Sequence, residues 1–501
     1  MKNKLKYLWI ATTVSFLLSI QYVQRYTDEK NRMLFFWARW DGLAIVFSAF
    51  LIGLFFFLIY LISARLKRRC AAKIVQSAFI TLLGIAIIKD AEHWLFKLNN
   101  YSPGVKLILQ SAVYLSYTAL FYALCVHFFT QTRKVKNSFV TLCLILSPII
   151  PIFLINSFGY KTWTTNKGNL PVFSNPKIEN TDRRNTFIFI FDEWSYAKSY
   201  KGRELIPIFK NLRQFQETAV SFHKAYSPSG ATLECLPNII FQSSYYYGIK
   251  NNRLFFKDKG TKNKIPLEGM ENIFTRPHQE KRFTACAGFY HPYADAAFLG
   301  KEVDFADSIS AHKIFGEGFL DVTAYHMMKS VLLYSFHFFP QATRWVEEVC
   351  LNQYQLWRTA RIHKQALSII EKVNLPTFAL FHYSVPHGGF IYNQKGANNI
   401  FQIYEETPDT YMGNVAYLDK IIGEIISTLR QSGKFDNSLI IMTSDHSWRM
   451  DPDLLEGKLP KDEGRHVPLL IKFPHQKKSR ETEQKLNTAV LFEYIKAQGQ
   501  E

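Results

Sequence analysis

Five apolar stretches set the first third of the chain apart from the rest. They run over roughly 7–24, 42–64, 74–88, 107–132 and 137–160. The second, GLAIVFSAFLIGLFFFLIYLISA, carries no charge over 23 residues. A membrane-spanning helix needs about 20 apolar residues, because unpaired backbone groups cannot sit in lipid. A core helix of a soluble domain would show a polar face, and these stretches do not. They read as five spans, the third being the shortest. Lys2, Lys4 and Lys6 precede the first as they would in a signal peptide. Its apolar core is long, however, no small-residue cleavage site follows it, and four more spans come after, so it reads as an uncleaved first helix.

From about residue 186 the pattern changes to short β-rich runs alternating with helical periodicity. The runs are TFIFIF (186–191), FTACAGF (283–289), TFALFHY (377–383), SLIIMT (438–443) and PLLIKF (468–473). Helical patterns lie between them, at WRTARIHKQALSIIEKV (357–373) and NVAYLDKIIGEIISTLRQ (414–431), the latter stopped by Gly433. Strands alternating with helices predict an α/β fold with a largely parallel central sheet. Residues 161–185 are polar, with Pro, Asn and Gly, and read as a linker. The expected domains are therefore a transmembrane domain at 1–160, a linker at 161–185 and a soluble domain at 186–501.

Charge refines this picture. Residues 1–158 hold 18 Lys and Arg against 5 Asp and Glu, so most of the net charge of +19 sits in the apolar third. A nucleic-acid protein would carry its basic patch on a soluble domain. Basic loops between spans mark the cytoplasmic side instead. The N-terminus, ARLKRRCAAK (64–73) and TRKVK (132–136) are such segments. Five spans with this bias place 161–501 outside the cytoplasmic membrane. Six cysteines exclude a disulfide scaffold, and Cys235, Cys286 and Cys350 beyond residue 160 allow at most one internal bridge.

In open α/β sheets ligands bind beyond the carboxyl ends of the strands. Asp192 and Glu193 follow the first run. His382 and His387 lie in and after the third. Ser444, Asp445 and His446 follow the fourth. Singly each has an ordinary reading: a turn, a core histidine, a helix-capping aspartate. Their joint placement at several strand ends points to a metal site, and carboxylates with histidines suit zinc or manganese. In SPSGATLECLPNIIFQ (227–242) a Ser/Gly turn leads into a helical pattern, which puts Thr232 near a helix N-terminus. Free N–H groups there stabilise an anion, and a metal-bound hydroxyl could act as a nucleophile. From the local sequence alone, an ordinary N-cap threonine with Glu234 nearby is the favoured reading.

These motifs together resemble the sulfatase/alkaline-phosphatase superfamily. Within it they are most similar to membrane-bound phosphoethanolamine transferases and, more distantly, to lipoteichoic acid synthases. The resemblance covers the whole chain, with its specific motifs between about 190 and 470. It implies a helical transmembrane bundle of about five helices joined to an extracytoplasmic α/β sulfatase-like domain. The strand-end acid that is a first metal ligand matches Glu193 in FIFDEW, with Asp192 beside it. The nucleophile, five residues before a proline, matches Thr232 in TLECLP. The paired histidines match His382 and His387 in FHYSVPHGGF, and the metal-binding S-D-H motif matches Asp445 and His446. YMGNVAYLD matches a helical motif in which Asp419 is structural. His466, in HVPLLIKFP, is offered as the further histidine ligand. Ser447 stands where the family usually has glycine, and the disulfides common in the transferases are absent.

The resemblance implies a ping-pong reaction. Thr232, bound to a zinc (or manganese) ion, attacks the phosphodiester of a membrane phospholipid, with His387 as proton donor to the leaving diglyceride. The phospho-threonine is then resolved by an envelope glycan or lipid. The implied location is the cytoplasmic membrane, with the catalytic domain facing the periplasm or the cell exterior. The alternative is a sulfatase-like hydrolase, in which a cysteine in C-x-P-x-R becomes formylglycine. Cys235-Leu236-Pro237 has the first three positions, but the arginine is absent.

Overall fold

The computed structural model describes residues 5, 8–17, 19, 40–65, 141, 143–158, 163–164, 166–170, 185–250, 253–309, 318–335, 340–393, 401 and 405–497. It divides into two compact units. One holds 1–31, 40–160 and 315–344; the other holds 32–39, 161–314 and 345–501.

In the second unit the apolar runs become the centre of a sheet. Its strands are β1 (Asn166–Lys167), β2 (Asn185–Phe191), β3 (Val220–Phe222), β4 (Phe283–Phe289), β5 (Phe305–Ile309), β6 (Thr377–Tyr383), β7 (Ser438–Ser444), β8 (Leu469–Lys472) and β9 (Arg480–Thr482). Their order is β1-β5-β4-β6-β2-β7-β8-β3-β9. The five from β5 to β7 are parallel, and antiparallel pairings at β1 and β8 flank them. β2, β4, β6 and β7 are buried at every position, as expected of parallel strands covered on both faces. β1, from the expected linker, pairs with β5.

Side chains alternate across the sheet. Ile188 and Ile190 join Leu380, Ile441 and the buried face of a helix over Thr232–Ile240 in one core. Phe189 and Phe191 face the other way, stacked on Phe381 (5.3 Å) and Tyr383 (5.3 Å). Four helices of this unit matter below: α1 (Lys210–Gln216), α2 (Thr232–Ile240), α3 (Pro340–Lys372) and α4 (Pro408–Gln431). A Thr407/Thr410 capping box and Pro408 start α4. Gly433, at φ +68°, follows its end. Asp419 of α4 is structural, as expected: its carboxylate accepts the N–H groups of Lys210, Asn211 and Leu212 and so caps α1.

Register makes the site. Phe191 pairs with both Tyr383 and Ser444, so the carboxyl ends of β2, β6 and β7 lie level.

In the first unit, one helix among the described residues, Asp41–Arg65, is long and apolar enough to cross a membrane. Two shorter apolar helices, Leu8–Leu17 and Cys143–Ile155, coincide with the first and fifth expected spans. The third and fourth expected spans, 74–88 and 107–132, lie outside the described residues. The described residues thus hold one of the five spans expected. The helix Phe319–Ser335, which falls in the stretch assigned by sequence to the soluble domain, packs against Asp41–Arg65. There His326 Nε2 lies 3.1 Å from Asp41 Oδ1.

Candidate active site

β2 ends in a tight turn that places two acids differently. The chain reverses at Glu193, whose φ of +63° is a left-handed value uncommon for a side-chain-bearing residue. Three contacts hold this turn. The Glu193 N–H donates to Asp445 Oδ1 (3.2 Å), the Trp194 N–H to Ser444 Oγ (2.9 Å), and the Tyr411 hydroxyl to the Glu193 carbonyl (2.7 Å). Ser444 Oγ in turn donates to the Phe191 carbonyl (2.6 Å), tying β7 to β2.

Asp192, Asp445 and His446 converge there, all buried, with one ligand atom from each lying within 4.8 Å of the others. His446 Nε2 is 3.6 Å from Asp192 Oδ1 and 3.5 Å from Asp445 Oδ2. His446 Nδ1 faces the Ser447 carbonyl at 2.8 Å, so the ring proton sits on Nδ1 and the Nε2 lone pair points to the cluster. Asp445 Oδ1 accepts two backbone N–H groups, from Glu193 and His446, while Oδ2 is buried without a partner. Burial, then the charges of Asp445 and Glu193, pushes the Asp192 carboxyl well above the usual carboxylate range. Two buried carboxylates, an orphaned oxygen and an imidazole lone pair fit a divalent cation, which would remove that conflict.

Thr232 is the first residue of α2, not its cap. The capping position is Ala231, and no side chain caps the helix. The hydroxyl donates to Asp192 Oδ1 at 3.3 Å and lies 3.2 Å from His446 Nε2. The Thr232 hydroxyl and the acid–histidine cluster, 40 and 214 residues apart in sequence, thus share hydrogen bonds. Cys235, one turn on, is fully buried on the core face of the helix. Its thiol donates to the Ser229 carbonyl (2.9 Å), and burial raises its pKa.

Three sequence expectations are corrected. Glu193 stands outside the cluster: its Oε1 pairs with Arg449 Nε at 2.6 Å, and it is Asp192 that meets Asp445 and His446. The left-handed turn at 193 separates the neighbouring side chains. His466 is also outside it. Its ring stacks between Tyr196 (4.0 Å) and Tyr226 (4.9 Å), and its nitrogens bind Glu463 and the His223 carbonyl. His466→Ala should therefore cost about 1–3 kcal/mol of stability in denaturant titrations, with bound metal unchanged. His387 is at the site, but its Nε2 accepts from Arg449 Nη2 (3.2 Å). Burial, with Arg358 and Arg449, lowers its pKa. In this form Nε2 takes a proton rather than gives one.

His382 is the next-to-last residue of β6, with Nδ1 near the Phe289 carbonyl (3.2 Å) and the Tyr293 hydroxyl (3.0 Å). Its Nε2 is buried without a partner, and burial lowers its pKa to about 4. Sequence reading missed His291, whose Nε2 lies 3.2 Å from the Thr232 carbonyl, with its pKa lowered to about 3 by burial. It stands two residues past FTACAGF, so the strand-end rule applied to β4 would have found it. Arg449 and Arg358, on a loop and a long helix, left no such signal.

A parallel-centred α/β sheet with an acid–histidine cluster and a hydroxyl at its strand ends is an arrangement that could hold a divalent cation beside that hydroxyl. The chain belongs to the sulfatase family, whose model matches residues 152–495. That superfamily is metal-dependent. A stretch of 96 residues, 18% of the chain, is 30% identical to the multifunctional alkaline phosphatase superfamily protein PehA of Trinickia caryophylli, and spans 19% of that protein's length. Among solved structures, the chain is similar to the phosphonate monoester hydrolase of Agrobacterium radiobacter, at 14% identity and TM-score 0.42, covering 63% of this chain and 73% of that one. It is also similar to the lipoteichoic acid synthase LtaP of Listeria monocytogenes, at 12% identity and TM-score 0.35, covering 62% and 71%. The family assignment rests on the model match.

Proposed function

We propose that the protein is a membrane-anchored phosphotransferase. It moves phosphoethanolamine, or a similar phospho-head group, from a membrane phospholipid to an envelope glycan or lipid through a phospho-Thr232 intermediate. The observation that carries this reading is the Thr232 hydroxyl, uncapped at the start of α2 and hydrogen-bonded to both Asp192 and His446. The helix Asp41–Arg65, long and apolar enough to cross a membrane, supports anchoring, and the basic segments between the expected spans support a cytoplasmic-membrane location with residues 161–501 on the periplasmic or outer side. Such an anchor keeps the site near a lipid donor.

A divalent cation, zinc in first place and manganese in second, would be held by Asp192, Asp445 and His446, where it offsets negative charge on the transferring group. The chain's own residues do the rest. Thr232 Oγ bonds to phosphorus as the diglyceride oxygen–phosphorus bond breaks, and the Thr232 proton, with Asp192 Oδ1 in reach, passes by way of that carboxylate and solvent to the departing diglyceride oxygen. The N-terminal turn of α2 faces the developing charge. In the second half, His387 Nε2 takes the proton of the acceptor hydroxyl as that oxygen displaces Thr232, and the same proton returns through solvent to the Thr232 oxygen.

The test is peptide mass spectrometry of the full chain after incubation with phosphatidylethanolamine and zinc. A phosphoethanolamine adduct on Thr232 supports the reading. Formylglycine at position 235, with no adduct, would replace it with a sulfatase-like hydrolase. Cys235→Ala should leave adduct formation within about threefold of the wild type, because the buried thiol faces the core rather than the cluster.

A further inference from the structure

Arg358 lies mid-way along α3 and is 8% exposed. Buried guanidinium groups are normally matched by a carboxylate, because taking a charge out of water costs several kcal/mol. Arg361, one turn along the same helix, follows that rule: it holds Asp307 through Nε (2.8 Å) and Nη2 (2.7 Å). Arg449 follows it with Glu193. Arg358 does not. Among the described residues it makes no ion pair, and its Nε is buried without a partner. The Phe289 and Tyr354 rings hold it, at 4.6 and 5.0 Å. Ring contacts of this kind are worth about 0.5–2 kcal/mol and leave the desolvation largely uncompensated.

The location of this charge gives it a use. Phe289 ends β4 and stacks on His382 at 4.6 Å. Gln355, one turn before Arg358, donates to the carbonyls of Ser384 (2.7 Å) and His387 (3.2 Å). Thr359 Oγ1 lies 3.0 Å from Ser384 Oγ. This part of α3 is therefore fastened to the loop that carries His387. The positive charge of Arg358 also bears on His382 and His387, whose protonation it opposes, and it is drawn to Asp192.

We propose that Arg358 is a substrate-binding residue, the buried counter-charge for a tetrahedral oxyanion, the phosphate or sulfate group of the ester that enters the Thr232 site. This inference rests on the reading of that site as an oxyanion-transfer centre. An arriving non-bridging oxygen would pair with a guanidinium already desolvated and already fixed by two rings, so little ordering is left to be done on binding.

The test is titration calorimetry of the zinc-loaded full chain with orthovanadate, inorganic phosphate and sulfate in separate arms, alongside Arg358→Met and Arg358→Lys. Arg358→Met keeps the volume and removes the charge. It should weaken oxyanion binding about 10- to 100-fold, with zinc content unchanged and melting temperature unchanged or raised, because an unpaired buried charge is removed. Arg358→Lys, which keeps the charge but not the fork, should fall between. The arm that binds tighter in the wild type identifies phosphate or sulfate as the group held. Binding by Arg358→Met within twofold of the wild type overturns the inference and leaves the site reading standing. If Arg358→Met does not fold, the same twofold criterion applied to Arg358→Lys decides. A wild type that binds none of the three anions overturns the site reading, and the Arg358 inference with it.

Discussion

Thr232→Ala is expected to lower kcat/KM on the order of 10^4- to 10^6-fold, the scale on which loss of a nucleophile acts. At 1.36 kcal/mol per tenfold that is about 5–8 kcal/mol of transition-state stabilisation. The size follows from position. The hydroxyl is the only part of the residue that reaches Asp192 and His446, and it is presented by the uncapped first turn of α2. Thr232→Ser keeps that oxygen and should stay within about tenfold of the wild type. Bound metal, measured by elemental analysis, should persist in both variants, because Asp192, Asp445 and His446 remain. If Thr232→Ala turns over phospholipid at a wild-type rate, the nucleophile lies elsewhere.

The second large effect concerns the cation. Asp445→Asn should weaken metal binding by more than about 100-fold, beyond the cost of losing an outer-shell partner. The readout is thermal as well as chemical. Metal at 100 times its Kd stabilises the folded chain by about 2.7 kcal/mol, and Asp445→Asn should show no such shift in melting temperature. The metal-free protein adds a sign that can be checked. Burial and the charges of Asp445 and Glu193 raise the Asp192 pKa in the folded state. A raised pKa means the folded state binds the proton better than the unfolded chain does. Its contribution is therefore fully present below the ordinary carboxylate pKa of about 3.9 and is lost as pH rises through the folded value. His291, His382 and His387, whose pKa values burial lowers, act with the opposite sign up to about pH 6.5, so the Asp192 contribution is read as the difference between wild type and Asp192→Asn. With chelator present, the melting temperature of the wild type relative to Asp192→Asn should fall with rising pH across that window, while Asp192→Asn abolishes metal binding. A difference that stays constant or rises with pH would show that the two carboxylates do not conflict.

Much of this was legible in the chain. Runs such as TFIFIF and SLIIMT are apolar on both faces, which only a covered parallel strand satisfies, and they became β2 and β7 within one residue. The shorter strands β3, β5 and β9 were not read, because three to five residues give too little alternation to stand out. Asp445 and His446 were found because the strand-end rule names the place where parallel strands leave their last backbone groups.

Other features were fixed only by three-dimensional packing. Sequence placed Asp192 and Glu193 side by side and could not rank them. The left-handed backbone at Glu193 does so, sending one carboxylate to the cluster and the other to Arg449. His466 sits in a promising motif, yet ring stacking with Tyr196 and Tyr226, from two other segments, gives it a structural place. The helix Phe319–Ser335 lies in the stretch assigned by sequence to the soluble domain, and only its contact with Asp41–Arg65 shows which unit it joins. The chain by itself determined the strands, their alternation with helices, and the hydroxyl and acid–histidine chemistry at their ends, because these follow from local side-chain pattern. The tertiary structure decided which of those groups meet, because meeting depends on register, on one residue's φ and on which buried charge finds a partner.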